Sequence, residues 1–237
     1  MEGNGSDCRT AVLLVGGSPH AHDFDDIEQA LVTVLAASGV APRVVRHPDA
    51  LIDALENADV LVMHGLWWRM LGEAYDSWRD PWGYATTAEL RTTLPCWVEG
   101  GGRLLALHTS PICFDDWPEW GQLLGGGWVW GTSSHPPPAS VAVQLERHAL
   151  TDGIDATLTV VDEVYGDLDM AEDIHVVGRA CRSDDDDLQP IIWTRNHGAG
   201  RIVCDLLGHD RRSLLDDDHR RLLANAIGWL TTDEEAA

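Results

Sequence analysis

Apolar residues fall into short, nearly unbroken β-type runs separated by segments with helical spacing. Ala11 to Val15, Val60 to Met63 and Arg103 to Leu107 are such runs, the pattern of strands covered on both faces. After the first run, Ile27, Ala30, Leu31, Val34 and Leu35 recur at helical intervals, with Asp25 or Asp26 as N-cap and Gly39 as stop. Arg43 to Arg46 predicts a second strand and Leu51 to Leu55 a short helix. This βαβαβ order calls for right-handed crossovers and a parallel sheet.

Thr86 to Glu99 predicts another helix, and Trp117 to Leu124 a short one with Pro118 in its first turn. From Gly125 to about Ala180 the pattern changes to Gly and Pro turns between the β-type runs Val141 to Leu145, Thr157 to Val161 and His175 to Ala180. Residues 125–180 are therefore expected to be a β-rich insertion on the main sheet. Ile191 to Thr194 and Arg201 to Leu206 flank Asn196-His197-Gly198-Ala199-Gly200, a turn signal that pairs them. Leu214, Leu222, Leu223, Ala226, Ile227 and Leu230 mark a closing amphipathic helix. Residues 65–85 form a Trp-rich insertion expected to be a long loop with one turn of helix, and long loops inside a domain are usually functional. The acidic run Asp184 to Asp187 is expected to be a solvated hairpin tip, and residues 1–8 and 232–237 to be disordered. The whole, 1–237, is one α/β domain.

Composition narrows the partners. The formal charge is −23, from 39 acids against 16 bases that are all arginine. A surface of that sign repels nucleic acid and anionic membranes, and the absence of lysine excludes Schiff-base chemistry. Five widely spaced cysteines without a C-x-x-C pair indicate neither a disulfide framework nor a thiolate zinc site. With no signal-peptide pattern at the start, a cytoplasmic location is expected. An exposed Trp-rich loop would suit a homodimer contact.

Histidines recur where the predicted strands end: His20 and His22 after the first run, His64, His108, and His209 after the last. In an open parallel sheet, ligands bind outside those carboxyl ends. His108 occupies the strand-to-turn elbow where doubly wound hydrolases and amidotransferases carry a serine or cysteine nucleophile. Neither residue is there, so the simplest nucleophile readings fail.

Several segments, in order, resemble the ThuA-like (trehalose utilisation) family. They are Gly16-Gly17 with His22-Asp23-Phe24, Val62-Met63-His64, Gly101 to His108, Leu124-Gly125-Gly126, His135-Pro136, His148 with Thr151-Asp152-Gly153, Asp162 to Tyr165, and His197 to Arg201 through Gly208-His209-Asp210. The resemblance implies a doubly wound, mostly parallel sheet of flavodoxin-like, class I glutamine amidotransferase-like architecture without the amidotransferase cysteine. It also implies a link to sugar catabolism, with oxidised (3-keto) disaccharides as the substrate class.

Histidines joined by a carboxylate are the usual ligands of catalytic zinc and similar ions. His64, His108 and His209 are the expected ligands of a divalent cation, zinc or manganese, with His108 and Glu163 as the catalytic pair. This requires the β-rich insertion to fold Glu163 back over the strand ends. His22, Trp67, Trp68, His135 and Tyr165 are the expected contacts to a small-molecule sugar, since indole rings stack on sugar faces. Trp78, Trp82, Trp117, Trp120, Trp128 and Trp130 are open to stacking or to packing, whereas Trp193 and Trp229 are expected in the core. His47, His175 and His219 are expected to be structural or exposed; His148 is open to substrate contact or turn stabilisation. Asp162 and Asp210 are open to orienting a histidine or capping a turn. The rival reading is a non-catalytic sugar-binding or regulatory module, and a third is an amidase-like hydrolase using Cys113.

Overall fold

The computed structural model describes residues 9–182 and 187–232. Its first half runs β1 (Thr10–Gly17), α1 (Phe24–Ala37), β2 (Ala41–Val45), α2 (Leu51–Leu55), β3 (Val60–Leu66), α3 (Asp76–Trp82), α4 (Ala88–Glu99) and β4 (Arg103–Leu107). There follow α5 (Pro118–Leu124), β5 (Gly126–Gly127), β6 (Ala139–Leu145), β7 (Thr157–Asp162), β8 (Asp169–Met170) and β9 (His175–Cys181). The chain closes with β10 (Leu188–His197), β11 (Gly200–Asp205), α6 (Arg211–Leu214) and α7 (Asp217–Thr231). Residues 1–8 and 233–237, expected to be disordered, and most of the acidic hairpin tip lie outside the described residues; Thr232, expected in the disordered end, instead caps α7, its N–H donating to Gly228 O at 3.0 Å. The Trp-rich insertion holds more structure than a loop: a single 3-10 turn at Glu73–Tyr75 leads into α3.

One sheet carries nine strands in the order β2-β1-β3-β4-β11-β10-β9-β6-β7. Its first five are parallel, in the 2-1-3-4-5 order of flavodoxin-like folds, and are covered by helices. Ala11 to Leu14 and Val60 to Met63 are fully buried, as expected for strands enclosed on both faces. Helices α1 and α7 pack on each other and on strands of this half, and α2 and α4 form a second such pair. Asp23 caps α1 by accepting the Asp26 N–H at 3.1 Å.

Strands β6, β7 and β9 of the insertion join β10 to extend the sheet as an antiparallel wing, β10-β9-β6-β7. By hydrogen bonding β7 is the edge farthest from β2, yet its last residue, Asp162, accepts the N–H of Gly208 at 2.6 Å, just beyond β11. The wing therefore curls back over the carboxyl ends of the parallel strands. Register slips on either side of Ile192, where β10 meets β9, supply the local twist that bulged strands impose. Trp193 and, largely, Trp229 join the core as expected.

Trp67 departs from expectation. It is buried in the core rather than open to substrate, and its ring fits only because Gly65 lacks a side chain: a Cβ there would lie 2.0 Å from the indole.

Candidate functional site

The carboxyl ends of β1, β3, β4 and β11 bring His22, His64, His108 and His209 together. Ring centroids of His22 lie 5.1 Å from His108, 4.9 Å from His209 and 6.4 Å from His64. His64 follows from register, pairing with Val15 in the β1–β3 ladder. His108 continues the β4–β11 ladder by one bond, its N–H donating to Asp205 O at 2.8 Å. It then turns at φ 44°, a left-handed conformation uncommon for a residue with a Cβ and concentrated at functional sites. The elbow expected from sequence is present, with imidazole in the nucleophile's place.

Backbone carbonyls set the tautomers. His108 Nδ1 donates to Leu206 O at 3.0 Å, so Nε2 carries the lone pair and accepts from the Tyr165 hydroxyl at 3.2 Å. His64 Nε2 donates to Gly208 O at 2.8 Å. Gly208 adopts φ 107° to present that carbonyl. Its N–H and that of His209 are both held by Asp162, which also accepts the Glu163 N–H. Asp162 therefore organises the site from beneath. Asp210 does not orient a histidine in this way; it caps α6, accepting the Arg212 N–H at 2.7 Å.

Glu163 does reach the cluster. Its Oε2 lies 3.3 Å from His135 Nδ1 and 3.6 Å from His108 Nε2, and its Oε1 lies 3.5 Å from His209 Nδ1. Burial works against its charge, but His135, His209 and His108 outweigh that and hold the carboxyl well below its ordinary range. The same contact raises His135 and His209. Burial and neighbouring imidazoles depress His22 to about 3, burial above all lowers His64 to about 4, and His108 is lowered strongly for the same reasons. Three neutral imidazoles thus sit beside an ionised carboxylate.

Among the described residues, five buried side-chain atoms lack a hydrogen-bond partner: Nδ1 of His22, His64 and His209, Oε2 of Glu163, and Nε1 of Trp68. Buried polar atoms in folded proteins are nearly always paired, and four of these five belong to the cluster. Ring nitrogens of His22, His108 and His209, one from each, lie within 4.8 Å of one another and could hold a metal ion. That trio differs from the expected ligand set: by distance His64 is not part of it, and His22 takes its place.

Rings continue outward from the cluster. Tyr165 meets Trp128 at 5.5 Å, Trp128 meets Trp130 at 6.3 Å, Trp130 stacks on Trp68 at 4.7 Å, and Trp68 meets Tyr75 at 4.6 Å. Tyr75 then contacts His20 at 5.7 Å, in the loop that carries His22. Trp68 and Tyr165 thus join the aromatic arc beside the cluster, and His135 lies against Tyr165 at 5.0 Å. The Leu206 and Gly208 carbonyls were not foreseeable, since a backbone acceptor leaves no side-chain signal.

Other candidates fall away. Cys113 is buried, donates to Gly65 O at 2.9 Å, and burial pushes its thiol up to about 12, so the Cys113 amidase reading fails on both access and ionisation. His148 stabilises a turn by accepting the Leu150 N–H at 3.1 Å. His219 is fully buried, bonded to Asp205 and Ser213.

Fold and site together define an α/β protein with a flavodoxin-like parallel core and a histidine–carboxylate centre at its switch edge. The chain belongs to the ThuA family, described as trehalose utilisation, whose model matches residues 11–230, and that family suggests a role in sugar metabolism. A ThuA-like protein from Parabacteroides merdae ATCC 43184 is similar in structure, with TM-score 0.76 at 16% identity over 96% of this chain and 93% of that one. A protein from Salmonella typhimurium LT2, described as cytoplasmic, gives TM-score 0.64 at 13% identity, covering 94% of this chain and 100% of that one. The β-galactosidase of Rahnella sp. R3 matches at TM-score 0.61 and 16% identity, over 94% of this chain but 31% of the enzyme. No curated protein matches the sequence. Among the described residues, no helix is long and apolar enough to cross a membrane.

Proposed function

We propose that this ThuA family member is a cytoplasmic enzyme that cleaves a 3-keto-glycoside derived from trehalose or a related disaccharide. The supporting observation is the close approach of ring nitrogens of His22, His108 and His209, within 4.8 Å of one another, with Glu163 beside His108 and His209. The reading includes a divalent cation, zinc or manganese, held by His22, His108 and His209. Burial lowers the proton affinity of His22 and His108, which suits ligation, since a metal needs the imidazole lone pair. The Leu206 carbonyl orients His108 as partners of metal-bound histidines do.

Bound there, a cation would polarise the substrate ketone as a Lewis acid. Glu163 takes the proton from the carbon between the ketone and the anomeric centre, and the C–H electron pair moves into the carbonyl as an enolate. Collapse of the enolate breaks the glycosidic C–O bond. The departing oxygen takes a proton from His135, whose proton affinity is raised by its contact with Glu163. The products are an enone sugar and a free alcohol, formed without the two-carboxylate arrangement of ordinary glycosidases.

The test is incubation of purified protein with 3-keto-trehalose in deuterated buffer, followed by proton NMR and parallel metal analysis. Glucose release is expected, with kcat falling roughly 100-fold or more in Glu163→Gln. Metal and activity should be lost together in His108→Ala. A Glu163→Gln enzyme of full activity would overturn the mechanism. Sugar binding without turnover would instead establish the non-catalytic module.

A further inference from the structure

Three of the clustered histidines depend on one short segment that follows β11. The Asp205 carbonyl accepts the His108 N–H at 2.8 Å, the Leu206 carbonyl accepts from His108 Nδ1 at 3.0 Å, and the Gly208 carbonyl accepts from His64 Nε2 at 2.8 Å. His209 is itself the next residue. Residues 206–209 lie outside any strand or helix, so their N–H groups need partners from elsewhere. Leu206 donates to Ile191 O at 2.8 Å, and two carboxylates take the rest: Asp205 Oδ1 accepts from Leu207 at 3.1 Å, and Asp162 accepts from Gly208 at 2.6 Å and from His209 at 3.3 Å.

Both carboxylates are buried, and a carboxylate in the interior is stable only when it is paired and hydrogen-bonded. One imidazole meets that need on both sides. His219, fully buried on α7, has its Nε2 3.0 Å from Asp205 Oδ2 and its Nδ1 3.1 Å from Ser213 Oγ, and the Ser213 side chain hydrogen-bonds Asp162. Ser213 lies in α6, which packs on β7, the strand that ends at Asp162. Helix α7 contributes no residue to the cluster, yet through this chain it reaches the segment from both ends.

We infer that His219 is a positioning residue for the histidine cluster: with Ser213 it braces the Asp205 and Asp162 carboxylates, and these fix the segment that orients His64 and His108 and carries His209. The inference rests on the proposed metal centre for its effect on zinc, whereas the bracing itself is read in the metal-free protein. Without His219, the Asp205 carboxyl turns away or takes a proton, and Leu207 loses its acceptor. The Leu206 carbonyl then no longer holds His108 in its Nδ1–H form.

Long-range proton–nitrogen correlation NMR of the full chain, with chelator present, reads the ring tautomers of His64 and His108, and competition with a chelating dye reads zinc affinity. Wild type is compared with His219→Gln and with Ser213→Ala, a smaller change that keeps the test open should His219→Gln not fold. Leu55→Ala, a cavity in α2, which packs on α4 and β1, is the control for lost stability alone. Wild type is expected to show single tautomers, protonated on Nδ1 in His108 and on Nε2 in His64. In His219→Gln and Ser213→Ala, His108 should become a tautomer mixture and zinc Kd should rise about tenfold or more, the scale on which partners behind ligating histidines act. Leu55→Ala should change neither. Wild-type tautomers and zinc affinity in both His219→Gln and Ser213→Ala overturn the bracing, and so does an equal change in Leu55→Ala. If wild type takes up no zinc, the metal reading fails and the tautomers alone decide: the bracing stands where the variants mix them and falls where they do not.

Discussion

The Tyr165 hydroxyl donates to His108 Nε2 across 3.2 Å, occupying the lone pair that the Leu206 carbonyl leaves available on the opposite nitrogen. In Tyr165→Phe that lone pair is freed without touching the rest of the trio. Metal stoichiometry by mass spectrometry should therefore be retained, with a stability loss of about 1 kcal/mol for the buried hydrogen bond. Loss of metal in this variant would show that the tyrosine oxygen itself holds it.

Asp162 holds the Gly208 and His209 N–H groups from beneath the site. Asp162→Asn keeps the shape but replaces one acceptor oxygen by a donor that faces those N–H groups. Metal affinity is expected to fall roughly 10-fold to 100-fold, as when outer partners of ligating histidines are removed. Competition with a chelating dye measures it, and an unchanged affinity would separate Asp162 from the centre.

His219 Nε2 faces Asp205 Oδ2 at 3.0 Å, and its Nδ1 lies 2.9 Å from Ser213 O and 3.1 Å from Ser213 Oγ. Burial lowers its proton affinity, but Asp205 and Asp162 outweigh that and raise it above the ordinary 6.5. A raised folded value means the pair's stabilisation is fully present below pH 6.5 and is lost as pH rises through the folded value. His219→Gln should be less stable by about 3–5 kcal/mol, since it strands the Asp205 carboxylate. The alkaline decline in melting temperature should flatten in that variant. If the decline keeps its slope, the ion pair is not its source.

Cys113 is buried with a raised thiol, whereas Cys96 and Cys181 are exposed. Alkylation at neutral pH followed by peptide mapping should modify the exposed two and spare Cys113. Cys113→Ala should retain turnover. Activity lost on selective modification of Cys113 would revive a thiol mechanism.

Much of the fold is legible in the sequence. Unbroken apolar runs at Ala11 to Val15 and Val60 to Met63 identify enclosed strands because burial on both faces leaves no polar alternation. The elbow at His108 was legible for a similar local reason: a strand running into a tight turn places its next residue at the sheet's edge. Trp67 and Trp68, adjacent in sequence, show where local pattern stops. One fills the space left by Gly65 and Gly16, while the other stacks on Trp130.

The sequence by itself determined the parallel core, the histidines at its strand ends and the exclusion of a serine or cysteine at the elbow, because each depends on local periodicity or residue identity. Tertiary structure decided that His22 rather than His64 completes the close trio, that Asp162 secures the His209 loop, and that Glu163 crosses from the far strand of the sheet to meet them. Those relations depend on how far the antiparallel wing curls. Its curl is set by bulged pairing and packing between residues distant in the chain, which no local pattern encodes.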